Sequence, residues 1–292
     1  MIEERWTAGG LAGTFAGGAN AARGPAALLL AGSGPVPRDG AIGTYRLIAA
    51  GLADAGIRSF RYDKRGAGAS RALAAREDDL VLGTFVDDAV SVIRALGARP
   101  DVSAVVAIGH SEGALIATLA AAKIPLVGIV LLAGAGRRIH IVLREQLLAM
   151  PFAPEQEELR ARALQILQAL AAGERVADVP PQLAALFRPS VQPFLQSWDA
   201  FDPAAALAKL SLPVLIVRGA RDIQISRADV EALARARPDA RVLELPEANH
   251  EFRPAPEDLS DRVAQLKSYD PAAPLVPGLV PALVDFIRAA AR

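Results

Sequence analysis

The run Gly109-His110-Ser111-Glu112-Gly113 decides how this chain is read. Ahead of it, Val102 to Ile108 form a short, valine-rich apolar run bounded by turn signals. Behind it, Ala114 to Lys123 read as an alanine- and leucine-rich helix. Strand, Gly-x-Ser-x-Gly and helix is the context that turns a serine into an exposed nucleophile. At so sharp a turn, side chains at 109 and 113 would collide with neighbouring backbone, which calls for glycine at both positions. Ser111 is expected to hold an unfavourable backbone conformation, with the positive end of the following helix turned toward the reaction centre.

A serine hydroxyl barely ionises at neutral pH and needs a base, and imidazole is the side chain best matched to that pH. The chain has three histidines, His110, His140 and His250. His110 adjoins Ser111, and neighbours at a sharp turn point apart, so it reads as a packing or hydrogen-bonding residue beneath the turn. His140 falls in a helical stretch, Arg137 to Met150, and reads as part of an inserted cap. His250 remains, in Glu247-Ala248-Asn249-His250-Glu251, just after the strand-like run Arg241 to Leu245. A loop following a late strand is where a general base reaches over the carboxyl edge of a parallel sheet.

A third group should orient that imidazole. Leu212 to Gly219 reads as a buried strand, and Asp222 follows it. An aspartate there would hold the imidazole in one tautomer and stabilise the imidazolium that forms. Glu247 and Glu251 are nearer in sequence but read as solvated loop charges. The order Ser111, Asp222, His250 is expected of an α/β-hydrolase, not of the chymotrypsin or subtilisin arrangements. Acyl transfer also needs donors where the oxyanion charge develops. The backbone N–H of Glu112, next to the serine, is one candidate. The N–H of Ser33 is the other, in Gly32-Ser33-Gly34-Pro35 after the apolar run Ala26 to Leu30.

Composition bounds the alternatives. The 292 residues are enough for a substantial core, and a 52% hydrophobic content suits a sheet covered on both faces. A formal net charge of +0, without a Lys/Arg stripe interleaved with aromatics, gives no sign of nucleic-acid binding. Zero cysteines exclude disulfides and thiolate metal sites, and three dispersed histidines argue against a catalytic zinc. Met1 to Trp6 carries acidic residues and no continuous apolar run of a signal peptide. The longest apolar stretch, Ile124 to Ala135, is too short to span a bilayer. A cytoplasmic location is expected.

Along the chain, Ile2 to Ala8 and Leu11 to Gly17 suggest a hairpin turning at Gly9-Gly10. Strand-like runs follow at Ala26 to Leu30, Ile57 to Tyr62, Ser103 to Ile108 and Leu126 to Ala133. Helical patterns separate them, including Tyr45 to Ala55 and Thr84 to Leu96. This alternation predicts a mostly parallel sheet with helices on both faces. Residues 137–206 break the rhythm with amphipathic helix signals at Arg138 to Leu148 and Glu155 to Leu170, then a proline-bearing segment from Pro180 to Pro193. They are expected to form a helical cap inserted into a core made of 1–136 and 207–292. Tyr62 to Ser70 has the wrong glycine spacing for a phosphate cradle and reads as a structural loop in which Asp63 and Arg65 tie neighbouring turns together.

Five segments now stand in order: Gly32-Ser33-Gly34-Pro35 with Arg38-Asp39-Gly40, Tyr62-Asp63-Lys64-Arg65-Gly66, Gly109 to Gly113, Gly219-Ala220-Arg221-Asp222-Ile223-Gln224, and Asn249-His250. In these the chain resembles bacterial serine carboxylesterases of the α/β-hydrolase superfamily. Val36-Pro37 departs from the resemblance, standing where such enzymes often carry a polar residue and an aspartate. The resemblance implies hydrolysis of short- to medium-chain carboxylic esters through an acyl-enzyme on Ser111, with His250 as base, Asp222 as orienting acid and no cofactor. The implied partner is a small-molecule ester, with either a monomer or a homodimer open. An aminopeptidase or amidase, or an acyl thioesterase, would use the same three residues. A ligand-binding protein is the non-enzymatic alternative.

Overall fold

The computed structural model describes residues 2–17, 23–150, 153 and 156–292; Met1 and Glu155, included in the segments above, lie outside the described residues. Eight strands among them form one sheet: β1 Ile2–Ala8, β2 Leu11–Gly17, β3 Gly24–Leu30, β4 Arg58–Tyr62, β5 Val102–His110, β6 Gly128–Leu132, β7 Val214–Gly219 and β8 Arg241–Leu245. Their spatial order is β1-β2-β4-β3-β5-β6-β7-β8. The β1–β2 and β2–β4 pairs are antiparallel, and every pair from β4 to β8 is parallel. The molecule thus has the α/β-hydrolase fold, as the strand–helix alternation and the motif order imply.

Period-two alternation explains why the sheet is covered on both faces. In β3, Ala26, Leu28 and Leu30 point into one hydrophobic cluster while Ala27 and Leu29 point into another. The same division holds for Ile129 and Leu131 against Val130 and Leu132 in β6. Helices α1 Thr44–Asp54, α2 Leu82–Gly97 and α3 Glu112–Ala121 supply the covering layers. The apolar stripe of α2, including Phe85, Ala89 and Val92, joins the first cluster together with α3. Ile48 and Leu52 of α1 join the second.

Between β6 and β7 the chain forms α4 Ile139–Ala149, α5 Glu157–Ala171, α6 Ala184–Phe187, α7 Gln192–Asp199 and α8 Pro203–Leu207. Ala163, Ile166, Leu167, Phe187 and Leu195 bury one another in a third cluster, separate from the two that flank the sheet. The proline-bearing segment is therefore helical, with prolines in the first turn of its short helices and of α7, where the missing N–H costs nothing. The last helices are α9 Arg227–Ala236, α10 Arg262–Lys267 and α11 Leu279–Ala290; Leu279, Leu283 and Ile287 of α11 complete the second cluster. Among the described residues no helix is long and apolar enough to cross a membrane.

Because β3 lies between β4 and β5, the chain moves one way from β3 to β4 and back across β3 to reach β5. The strand order reverses there, and the loops at the carboxyl ends of β3 and β5 open a crevice in which ligands bind in sheets of this kind. Ser33 follows β3 and Ser111 follows β5.

Candidate active site

Ser111 sits between β5 and α3 with φ 55° and ψ −119°, a conformation that L-residues rarely adopt. Its backbone N–H donates to the Leu132 carbonyl of β6 at 2.8 Å, which pins the turn to the neighbouring strand. The flanking glycines are required by contact. A Cβ at 109 would stand 2.0 Å from the Gly113 carbonyl oxygen, and one at 113 would stand 2.3 Å from that of Leu30.

Asp222 and His250 come together after β7 and β8. Asp222 Oδ1 accepts from the backbone N–H groups of Gln224 at 2.7 Å and Ile225 at 3.0 Å, which fixes the carboxylate. Its Oδ2 lies 2.8 Å from His250 Nδ1. A carboxylate only accepts, so Nδ1 carries the proton and Nε2 is left with a lone pair. Burial opposes a charge on His250, but the Asp222 carboxylate, its hydrogen bond and Glu251 outweigh burial and raise the imidazole above its ordinary pKa.

His110 lies under the turn. Its Nε2 donates to the backbone carbonyl of His250 at 2.9 Å, and the two imidazole rings are 4.8 Å apart. Its Nδ1 must then accept, and it does so from the Tyr45 hydroxyl at 2.9 Å; that hydroxyl in turn accepts from the Gly32 N–H at 3.1 Å. Burial pushes His110 down and Tyr45 up, so both stay neutral. This contact between His110 and the 250 backbone brings His250 to the elbow. No hydrogen bond joins the Ser111 hydroxyl to the imidazole among the described residues.

Ser33 and Glu112 border the same cavity as Ser111. Neither backbone N–H donates to a described group. The loop carrying Ser33 is tied down by its neighbours. Arg38 donates to Asp63 from its backbone N–H at 2.9 Å, from Nε at 3.0 Å and from Nη2 at 2.6 Å, and Arg61 donates to Asp39 at 2.7 Å. Arg65 forms a two-pronged pair with Asp88. Asp63 and Arg65 therefore tie turns together, as the sequence suggests. The resemblance segments Arg38-Asp39 and Tyr62 to Gly66 hold the loop.

Two residues depart from the sequence reading. Glu251 is no solvated loop charge: it is half-buried, accepts from the Thr44 hydroxyl at 2.6 Å and adds its field to both histidines. Glu247 is exposed. Lys64, passed over in a charged loop, is 4% exposed and donates from Nζ to the Gly32 carbonyl at 2.9 Å and to Glu112 Oε1 at 2.6 Å. The only hint in the sequence is a cation directly after a strand, which periodicity does not distinguish from a surface lysine. His140 belongs to α4 and pairs with Asp199 at 2.7 Å, away from Ser111's partners.

The cavity measures about 770 Å³. Phe85 from α2 meets Phe194 of α7, which in turn meets Trp198, along its wall, with Ile139, Val142 and Leu143 of α4 beside them. The two carboxylates lining it are neutralised, Glu112 by Lys64 and Glu77 by Arg188, and Ser190 also donates to Glu77.

Comparison with known proteins agrees with this architecture. The family described as "Serine aminopeptidase, S33" matches residues 39–253, a span that includes Ser111, Asp222 and His250. Esterase EstD of Thermotoga maritima is 29% identical over 238 residues, covering 77% of this chain and 54% of that protein; the chain spans about half the length of this curated relative. Est1E from Butyrivibrio proteoclasticus, solved with ferulic acid bound, superposes with a TM-score of 0.64 at 15% identity over 96% of this chain and 94% of its own. Proline iminopeptidase from Mycobacterium smegmatis gives 0.63 at 17% identity over 99% and 98%. Likeness at that identity speaks for the fold, whereas the family match covers most of the chain, and the chain belongs to the serine aminopeptidase S33 family of α/β-hydrolases.

Proposed function

We propose that the protein is a serine esterase that cleaves carboxylic esters of short to medium apolar acids through an acyl-enzyme on Ser111. In this reading His250 Nε2 removes the proton as Ser111 attacks the ester carbonyl. The N–H groups of Ser33 and Glu112 receive the oxyanion, and protonated His250 donates to the leaving alcohol. Water then repeats the sequence on the acyl-enzyme. Asp222 keeps the proton on Nδ1 and stabilises the imidazolium. Residues 137–206 act as the cap that shapes the acyl pocket.

The observation that carries the reading is the Asp222–His250 hydrogen bond at the strand edge where the strained Ser111 turn also sits. The mostly apolar walls and neutralised carboxylates of the cavity favour an acyl group over the free ammonium of an aminopeptidase substrate. The Thermotoga relative is likewise named an esterase. Ser111→Ala should lower kcat on a p-nitrophenyl ester by roughly three to six orders of magnitude. Near-normal turnover by that variant would eliminate the mechanism. A matched aminoacyl anilide, run beside the ester, should be the far poorer substrate; preference for the anilide would favour the aminopeptidase alternative.

A further inference from the structure

The spatial order β4-β3-β5 lays three segments side by side at the sheet's carboxyl edge: the Lys64 loop after β4, the Gly32-Ser33 loop after β3 and the start of α3 after β5. Lys64 Nζ bridges the other two. One of its three N–H bonds goes to the Gly32 carbonyl and a second to Glu112 Oε1, while the ammonium also lies 4.4 Å from the centre of the Phe85 ring. The Gly32 carbonyl and the Ser33 N–H belong to one peptide unit, which is trans and planar, so they point in opposite directions. Holding the carbonyl inward on Lys64 aims the Ser33 N–H the other way. Glu112 carries the second free N–H on the same residue whose carboxylate grips the ammonium. A single cation thus contacts both residues that flank or carry the two donors.

Stability is a poor reason for this arrangement. Both charges are buried, with side-chain exposures of 4% and 0%, and the other carboxylate oxygen, Glu112 Oε2, has no hydrogen-bond partner among the described residues. Buried ion pairs of this kind are often replaceable by apolar residues without loss of stability. The Gly32 N–H is meanwhile fixed by Tyr45, so the peptide units on both sides of Gly32 are anchored.

We infer that Lys64 is a positioning residue for the oxyanion hole: through Gly32 O and Glu112 Oε1 it fixes the spacing of the Ser33 and Glu112 N–H groups. It touches no reacting atom and acts only through those two backbones. The inference rests on the acyl-transfer reading above.

The test replaces the pair by apolar residues, Lys64→Met with Glu112→Leu, and compares kcat, KM and binding of a phenylboronic acid, which forms an anionic tetrahedral adduct. Loosened donors should lower kcat by about 100-fold, with KM changed less than threefold. Boronate affinity should fall in parallel, while the thermal midpoint stays near that of the wild type. A folded double variant with kcat and boronate affinity within threefold of wild type overturns the inference. So does a loss confined to KM. Should the double variant not fold, Lys64→Gln with Glu112→Gln takes its place, since a glutamine at 64 is too short to hold both partners; the same criteria apply. Failure of the parent reading is separate: there Ser111→Ala would keep its activity, whatever happens at Lys64.

Discussion

The carboxyl edge of the sheet and the helices between β6 and β7 are built on opposite principles. At the edge, position comes from backbone and hydrogen bonds: a strained serine, two glycines that admit no side chain, and a carboxylate held by two N–H groups. The helices are held by packing around their own apolar cluster, and what they present to the cavity is a mostly aliphatic and aromatic wall, with Gln146 and Arg188 as its polar members. Edges of the first kind tolerate no displacement; walls of the second kind tolerate repacking. Chemistry should therefore fail when the edge is altered and selectivity should shift when the wall is.

The largest effect is expected at the edge. Asp222→Ala removes the acceptor that fixes the His250 tautomer, and kcat on an ester should fall by about 10⁴-fold with the fold intact by circular dichroism. A loss below tenfold would mean that the dyad is not part of the machinery. Next comes Gly109→Ala, whose methyl would lie 2.0 Å from a backbone oxygen and must displace the turn. Urea titration should show a loss of about 3 kcal/mol. An unchanged midpoint would show the turn to be as plastic as the helices.

On the wall, Leu143→Trp fills part of the cavity next to α7. The ratio of kcat/KM for a decanoyl over a butyryl p-nitrophenyl ester should drop about tenfold, with butyryl turnover nearly unchanged. Equal losses on both esters would put Leu143 in the chemistry and dissolve the contrast between wall and edge.

The smallest effect is a difference between two histidines at the edge itself. His250 must be neutral to act as a base, and Asp222 raises its pKa despite burial, so the acid limb of kcat/KM should lie above the ordinary imidazole value of about 6.5. Activity is lost as pH falls through that raised value. His110, pushed down by burial, should stay neutral through the same range in a proton NMR titration. The sign for stability is reversed for His250: its raised pKa stabilises the fold below the unfolded pKa, and that contribution fades as pH rises. A limb below 6.5 would show that burial outweighs Asp222.

The same contrast explains what was legible in the sequence. Continuous apolar runs such as Ala26 to Leu30 and Val214 to Val217 are strands because a doubly covered sheet needs apolar residues on both faces, and the turn glycines follow from steric contact. The meeting of Asp222 and His250 was legible from their places in loops after two late strands. Lys64 and Glu251 were not, because the burial of a charge depends on which loops the sheet order sets side by side. Arg58 and Arg61 make the same point: the wholly buried β4 contains two arginines, and Arg61 finds Asp39 and Glu3 only once the loops are in place. The helical segment from Pro180 to Pro193 was legible as an interruption but not as short helices, since its packing partners lie in α5 and α7.

The most direct test of the account is to label the purified protein with a fluorophosphonate and map the adduct by peptide mass spectrometry. One phosphonyl group per chain, on Ser111, with ester hydrolysis abolished in step with labelling, is the expected result. Full ester hydrolysis by an unlabelled protein, or an adduct on another residue that abolishes activity while Ser111 stays free, would contradict it.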